Sequence, residues 1–190
     1  MKSGLAVRRI IEKCVLGVML VSAISCSSHK PQENHIYSTW DNLEVDKCAS
    51  AWLIKRFIDR EAVFRFYRVG KLIPAGIPFD TPEAELRRYH NMSTFESAMR
   101  KYGIKDVRLQ KIGTIIHRLE VVSWEERMPE KDKLTMELEK SIRVIIESSK
   151  TPLECFEKSS PVFDELYASL RETNEDTAKA EASRDILGVR

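Results

Sequence analysis

The sequence predicts a helix-dominated α+β domain of about five helices with a small antiparallel β-sheet of short strands. Two observations lead to this fold class. Apolar residues recur every three or four positions over most of the chain after residue 90, which is typical of helices, whereas residues 62–68 alternate with aromatic side chains as a strand does. With 43% hydrophobic residues and only 7 Gly and 7 Pro, the chain is neither collagen-like nor largely disordered.

The first predicted helix covers residues 45–58. Its apolar side chains cover nearly every side of a helical wheel, which predicts a helix buried on most of its surface at the centre of the core. The strand at 62–68 follows, and glycines and prolines interrupt the chain from residue 70 to residue 78. The short apolar segments 77–79 and 86–89 are candidates for its partner strands.

Local signals predict where the later helices begin. Ser93 and Glu96 form a capping box at the start of one helix, and Gly103 ends it. Asp106 is the predicted N-cap of the next helix, which has an apolar face extending to about residue 122. An amphipathic helix with a charged outer face is predicted over residues 134–146.

Two more signals occur near the C-terminus. Thr151 and Glu154 form a second capping box with Pro at the first helical position. Ser160-Pro161 predicts the start of a last helix, which extends to about residue 170. Beyond it the chain becomes polar, so residues 172–190 are expected to form a frayed tail.

The N-terminus carries the pattern of an export signal. Four Lys or Arg residues and one acid stand in the first 13 residues, and the uncharged segment 14–25 is shorter than the roughly 20 residues that span a bilayer. Residues 22–26, Ser-Ala-Ile-Ser-Cys, resemble the lipobox of bacterial lipoproteins, so Cys26 is the predicted lipidated N-terminus of the mature chain. An ordinary cleaved signal with an incidental Cys is the alternative. Because Ser27 rather than Asp follows this Cys, the pattern favours sorting of the lipoprotein to the outer membrane.

Removal of residues 1–25 changes the charge balance. Without their four positive charges and one negative charge, the formal net charge of +2 becomes −1. No basic run interleaved with aromatic residues occurs elsewhere, so the sequence predicts no nucleic-acid partner. Cys48 and Cys155 remain as thiols in the folded part, and their sequence spacing leaves open whether they pair.

Two histidines and two carboxylates are the candidate metal ligands. His117 and Glu120 lie three residues apart on one predicted helix, and His90 and Glu96 flank the start of the preceding helix. Imidazole and carboxylate together suit Zn, Fe or Mn. Structural interpretations remain open, because Glu96 is also the capping-box acid, His117 could be a surface residue, and Glu120 could pair with a neighbouring cation.

One part of the sequence resembles a known family. Residues 45–59, Val-Asp-Lys-Cys-Ala-Ser-Ala-Trp-Leu-Ile-Lys-Arg-Phe-Ile-Asp, with shorter blocks between 62 and 167, closely resemble the domain of chromate resistance exported proteins. The same domain forms the C-terminal part of the chromate resistance protein B regulators. This resemblance implies a role in chromate tolerance and adds Asp46 and Lys47 as candidate ligand-binding residues.

Together these features predict a signal peptide at 1–25, a tether at 26–39, a chromate resistance protein B-like domain at 40–171 and a polar tail at 172–190. We expect an exported protein, held in the cell envelope by a lipid on Cys26 and facing the periplasm. It is expected to bind one divalent metal ion (Zn, Fe or Mn) or a small oxyanion such as chromate, and to contribute to chromate or metal stress resistance. The alternative is a redox or hydrolytic metal-dependent enzyme that uses the same cluster, and whether it catalyses a reaction stays open.

Overall fold

The computed structural model describes residues 33–121 and 133–186, with side chains described up to residue 170. The predicted signal peptide and Cys26 lie outside these ranges. Within them, no helix is both long enough and apolar enough to cross a membrane.

The sheet has three short strands: β1 (Ile36–Trp40), β2 (Val63–Tyr67) and β3 (Ile77–Pro78). Their order is β2-β1-β3 and both pairings are parallel, with Ile36 opposite Val63 in one pair and Tyr37 opposite Ile77 in the other. The predicted antiparallel sheet is therefore wrong.

The physical reason lies in residues 36–39, which were predicted as part of the tether but which belong to the central strand β1. Helix α1 (Val45–Leu53) lies between β1 and β2 in the chain. A helical crossover returns the second strand in the direction of the first, whereas an antiparallel pair needs only a tight turn. The predicted partner segment 86–89 forms only isolated bridges, Phe79 with Leu86 and Tyr89 with Met92.

Helix α1 continues into a π-helical turn, Ile54–Ile58. All nine residues of α1 are buried, which confirms the prediction of a buried central helix. Within the described ranges, it contacts each of the four helices that follow. Trp52, 1% exposed, packs against Phe57, Phe163 and Tyr167 with ring centroids 5.3–6.1 Å apart.

The part of the chain that the structure describes contains four further α-helices: α2 (Thr94–Lys101), α3 (Val107–Glu120), α4 (Lys133–Ser148) and α5 (Pro152–Ile186). The capping box at the start of α2 is confirmed, with both of its hydrogen bonds present. The Asp106 carboxylate accepts hydrogen bonds from two amides in the first turn of α3, as predicted.

Helix α5 differs from the prediction at two places. It is one continuous helix through Pro161, so no separate helix begins at Ser160, and its backbone stays helical through the predicted tail to Ile186. Pro161 cannot donate a backbone hydrogen bond, but it lies on the exposed side of α5, where the carbonyl that it leaves without a donor can bind water. The Ser160 hydroxyl adds a hydrogen bond of 2.8 Å to the Phe156 carbonyl one turn earlier.

Candidate functional site

Asp46 joins helix α1 to the N-terminus of α2. Its fully buried carboxylate accepts hydrogen bonds from the amides of Thr94 at 2.7 Å and Phe95 at 2.9 Å. The Ser93 hydroxyl and the Glu96 carboxylate accept from each other's amides, which completes the capping of this helix end. Asp46 therefore supplies, from 48 positions away in the chain, the acceptor that the first two amides of α2 need.

The surroundings of Asp46 affect its pKa in opposite directions. Burial, together with the nearby Asp80 carboxylate, raises the pKa of Asp46 to about 7, while the two amides and the Arg88 guanidinium act to lower it. Both carboxylate oxygens are already bonded within the protein. A ligand could reach Asp46 only by displacing these partners.

Lys47 is also fully buried. Its ammonium group donates to the carbonyls of Trp40 at 3.1 Å and Asn42 at 2.6 Å, and to the Asn42 side chain at 2.7 Å. Asp80 lies 3.6 Å from it. Burial lowers the pKa of Lys47, although Asp80 and Glu44 act in the opposite direction. Lys47 thus connects the end of β1 to the start of α1 rather than facing solvent.

Asp80 follows β3 and has a positive φ of 50°. This left-handed conformation is unfavourable for a residue other than glycine, by roughly 1–2 kcal/mol. Its side chain accepts a 2.6 Å hydrogen bond from the Thr94 hydroxyl, and its ion pair with Lys47 adds a second contact. Asp80 therefore links the loop after β3 to both α1 and α2.

Arg88 lies among three carboxylates. Its Nη2 donates to Glu44 at 2.8 Å and to Glu120 at 3.2 Å, and its Nε lies 3.6 Å from Asp46. Burial raises the pKa of Glu120, although Arg88 acts to lower it. The single guanidinium is shared among more negative charges than it can neutralise.

His117 and Glu96 form the more exposed side of the site. Nδ1 of His117 lies 2.8 Å from Oε2 of Glu96, and both side chains are 30% exposed. Glu120, 14% exposed, stands one turn further along α3 on the same side as His117. The contact with Glu96 uses Nδ1, and no described residue forms a hydrogen bond with Nε2 of His117.

Comparison with known proteins places these residues in a family. The model of the ChrB C-terminal domain matches residues 37–170, which include every site residue described above. The chain belongs to this family. Protein ChrB of Cupriavidus metallidurans is 33% identical over 87 residues, which are 45% of this chain and 27% of that protein. The match thus spans about a quarter of the relative's length. No solved structure matches this chain.

The four predicted metal ligands of this ChrB C-terminal domain are only partly brought together. Glu96 contacts His117 directly, and Glu120 follows on the same face of α3. His90 is exposed in the loop before α2, and within the described ranges no hydrogen bond or ion pair joins it to the other three. Among the described residues, no group of three or more His, Cys, Asp or Glu side chains is arranged to hold a metal ion.

Three residues of the site were not predicted from the sequence: Glu44, Asp80 and Arg88. Each lies in a loop, where hydrophobic periodicity carries no information. The hydrogen bonds of Arg88 also join it to residues that are 32 and 44 positions away in the chain. Asp80 had a weak signal, because it directly follows a short apolar segment and belongs to one of the blocks that resemble the family. For Arg88 and Glu44 only the fold reveals the contact.

The site combines five carboxylates with two bonded cations and one histidine. The carboxylates are Glu44, Asp46, Asp80, Glu96 and Glu120. The two cations, Lys47 and Arg88, are both held by these acids or by backbone carbonyls. Chemically, this surplus of negative charge attracts cations and can accept protons.

Proposed function

We propose that this ChrB C-terminal domain binds a metal cation through His117 and Glu120, and that this binding contributes to chromate or metal stress resistance. The observation that carries the proposal is the 2.8 Å contact between Nδ1 of His117 and the Glu96 carboxylate. In metal sites, a ligating histidine usually donates its second ring N–H to a carboxylate, which orients the ring and fixes its tautomer. Glu96 would thus be the orienting acid and Nε2 of His117 the ligand.

Glu120 would be the second protein ligand. It stands three residues after His117 on α3, so both side chains extend from the same face of the helix. Its Oε2 is bonded to Arg88. A cation bound at Oε1 would complete its coordination with water.

The charge balance supports a cation rather than an oxyanion. Chromate would need positive groups without carboxylates beside them, but the Arg88 guanidinium lies among Glu44, Asp46 and Glu120. The Lys47 ammonium is buried among carbonyls. An anion would also approach a surplus of carboxylates. Of the two ligand classes expected from the sequence, we therefore retain the metal ion for this site.

Imidazole and carboxylate ligands favour Zn, Fe or Mn. The family relation suggests chromate resistance, and reduction of chromate produces a trivalent cation that, as a hard ion, would accept the same oxygen ligands. Binding of such a cation would connect the site to that role.

The test is metal analysis of the purified full chain after equilibration with Zn²⁺ or Mn²⁺ and removal of free ion. We expect about one ion per chain, and loss of this ion when His117→Ala and Glu120→Ala are combined. His90→Ala is the matched control and should keep the ion, because His90 lies outside the pair. Circular dichroism checks that each variant is folded. A wild-type chain without bound metal, or a double variant that binds as well as the wild type, would refute the proposal.

The envelope location is a separate proposal, supported by the basic start, the short uncharged segment and the Cys26 motif. Two acyl chains or more are needed for stable anchoring, since one chain binds a membrane only marginally. Mass spectrometry of the mature N-terminal peptide should show acylated Cys26 in the membrane fraction. Cys26→Ser should abolish acylation, whereas Cys14→Ser should not affect it. A mature chain that keeps residues 1–25 would refute this location.

A further inference from the structure

Two cysteine thiols meet in the core, and neither belongs to the candidate ion site at His117 and Glu120. The Sγ atoms of Cys48 and Cys155 lie 3.6 Å apart, and the two residues are 107 positions apart in the chain. Both side chains are buried and both thiols are free. Cys48 belongs to α1 and Cys155 to the first turn of α5.

The pair lies where α1 and α5 pack against each other. A second polar connection joins these helices further along, since Asp164 of α5 accepts hydrogen bonds from Trp52 at 2.8 Å and from Arg56. The two contacts follow in the same order along both helices: Cys48 meets Cys155, and Trp52 meets Asp164 further along each helix. This order indicates that the two helices run in the same direction, and the thiols face each other where the helices pack.

The two thiols are not equivalent. The hydrogen bond between them, together with burial, raises the pKa of Cys48, and the same bond lowers the pKa of Cys155. The Ser149 hydroxyl and the charge of Lys158 also act to lower the pKa of Cys155, against burial. Because the thiolate is the attacking form in thiol–disulfide exchange, Cys155 would react first.

We propose that Cys48 and Cys155 form a dithiol–disulfide site, which an external disulfide oxidises to a cross-link between α1 and α5. The Cys155 thiolate attacks one sulfur of the external disulfide, whose S–S bond breaks and releases one thiolate. Cys48 then loses its proton, attacks the Cys155 sulfur and releases the second thiolate. Two protein thiols are oxidised, one external disulfide is reduced to two thiols, and the two protons end on those thiols.

The surroundings favour a disulfide over a metal site for these sulfurs. In the parts of the chain that the structure describes, no third Cys, His, Asp or Glu joins them in an arrangement that could hold an ion. Cys155 is the fourth residue of α5, and a helix end opens locally at a lower free energy than a helix centre. Local opening at this end would expose the more reactive thiol first.

The cross-link would restrict the chain over a long loop. Closing a loop of this length removes conformational freedom mainly from the unfolded state, so the oxidised protein should unfold at a higher temperature. Asp46 and Lys47 directly precede Cys48 in α1. The cross-link would therefore also hold the part of α1 that supports the ion site.

The experiment uses the full chain, equilibrated with oxidised glutathione or with dithiothreitol, trapped with acid, alkylated and digested with trypsin. We expect residues 48–55 and 151–158 as one linked peptide after oxidation and as two alkylated peptides after reduction. The midpoint of thermal unfolding should be higher by about 5–10 °C in the oxidised protein. Cys48→Ala, with one thiol remaining, should form no linked peptide and show no such shift.

Two results would overturn the proposal. One is alkylation of both cysteines in the oxidised wild-type sample, and the other is a cross-link that joins two chains instead of closing within one. If Cys48→Ala does not fold, Cys155→Ser replaces it as the variant. The peptide map of the wild type also shows, without any variant, whether Cys48 and Cys155 are linked. Because the thiol pair and the ion site are tested by different measurements, either proposal can fail alone.

Discussion

Replacement of Asp46 by alanine removes a buried carboxylate that holds the start of α2. The amides of Thr94 and Phe95 lose the acceptor that Asp46 provides, and both belong to residues that are fully buried. Each buried donor that loses its partner costs about 1–3 kcal/mol. The loss is partly offset, because the desolvation that raises the pKa of Asp46 disappears and Arg88 keeps Glu44 and Glu120 as partners. We expect a net loss of about 2–4 kcal/mol in the free energy of unfolding.

Equilibrium unfolding in urea measures this loss as a lower midpoint with an unchanged slope. Asp46→Asn should lose less, because its carbonyl oxygen can still accept one of the two amides. Glu83→Ala is the matched control: Glu83 is an exposed acid in the loop before Arg88, and its removal should change the free energy of unfolding by less than about 0.5 kcal/mol. If Asp46→Ala changes the free energy of unfolding by no more than this control does, Asp46 does not stabilise the N-terminus of α2, and the prediction is wrong.

Two further predictions concern acid stability and one turn. Partial burial raises the pKa of Asp106, but hydrogen bonds from Arg108, from Tyr167 and from two α3 amides lower it to about 2 in the folded protein. Its stabilising contribution is therefore fully present above pH of about 4 and is lost as the pH falls toward 2. Between pH 5 and pH 2.5, the wild type should lose about 1–2 kcal/mol more of its free energy of unfolding than Asp106→Asn does, as measured by urea titrations at both pH values. An equal pH dependence in both proteins would contradict this prediction. Gly76→Ala should destabilise the fold more than Gly70→Ala, although both glycines have a positive φ, 86° at Gly76 and 77° at Gly70. A Cβ at Gly76 would lie 2.6 Å from a hydroxyl and 2.7 Å from a carbonyl of β1, whereas a Cβ at Gly70 would have no atom within 4 Å. Thermal unfolding of the two variants checks this difference, and equal midpoints would show that the contact with β1 is not limiting.

Local signals explain which parts of the fold could be predicted. The capping box at Ser93 and the cap at Asp106 use hydrogen bonds within three residues of the helix start, so the sequence alone contains all the partners. At the second predicted box, Thr151 accepts from the Glu154 amide as predicted, but the Glu154 carboxylate accepts from Lys150 instead of Thr151. The boundary of a helix end is thus predictable to about one residue.

The sheet could not be predicted in the same way. Ser38 and Thr39 are polar but fully buried in β1, because this strand lies between two neighbours. Residues 36–40, Ile-Tyr-Ser-Thr-Trp, therefore lack the alternation of apolar and polar residues that identifies a half-exposed strand, and they directly follow the polar residues of the predicted tether. Without β1, neither the strand order nor the parallel pairing can be predicted.

The candidate site shows the same division. Sequence spacing predicted His90, Glu96, His117 and Glu120 as candidate ligands, since two lie on one helix and the other two flank a recognisable cap. It could not show that Arg88 reaches Glu120 or that His117 reaches Glu96, because these contacts depend on how α2, α3 and the preceding loop pack.

By itself, the sequence determined the helical character of the domain, the buried centre at α1, the helix caps and the family resemblance, because each depends on residues close together in the chain. The tertiary structure decided the parallel sheet, the capping of α2 by Asp46 and the meeting of Cys48 with Cys155. These features join residues that are between 27 and 107 positions apart, and the packing of the helices brings them together. No local pattern encodes such contacts, since their free energy is gained only when the whole core forms.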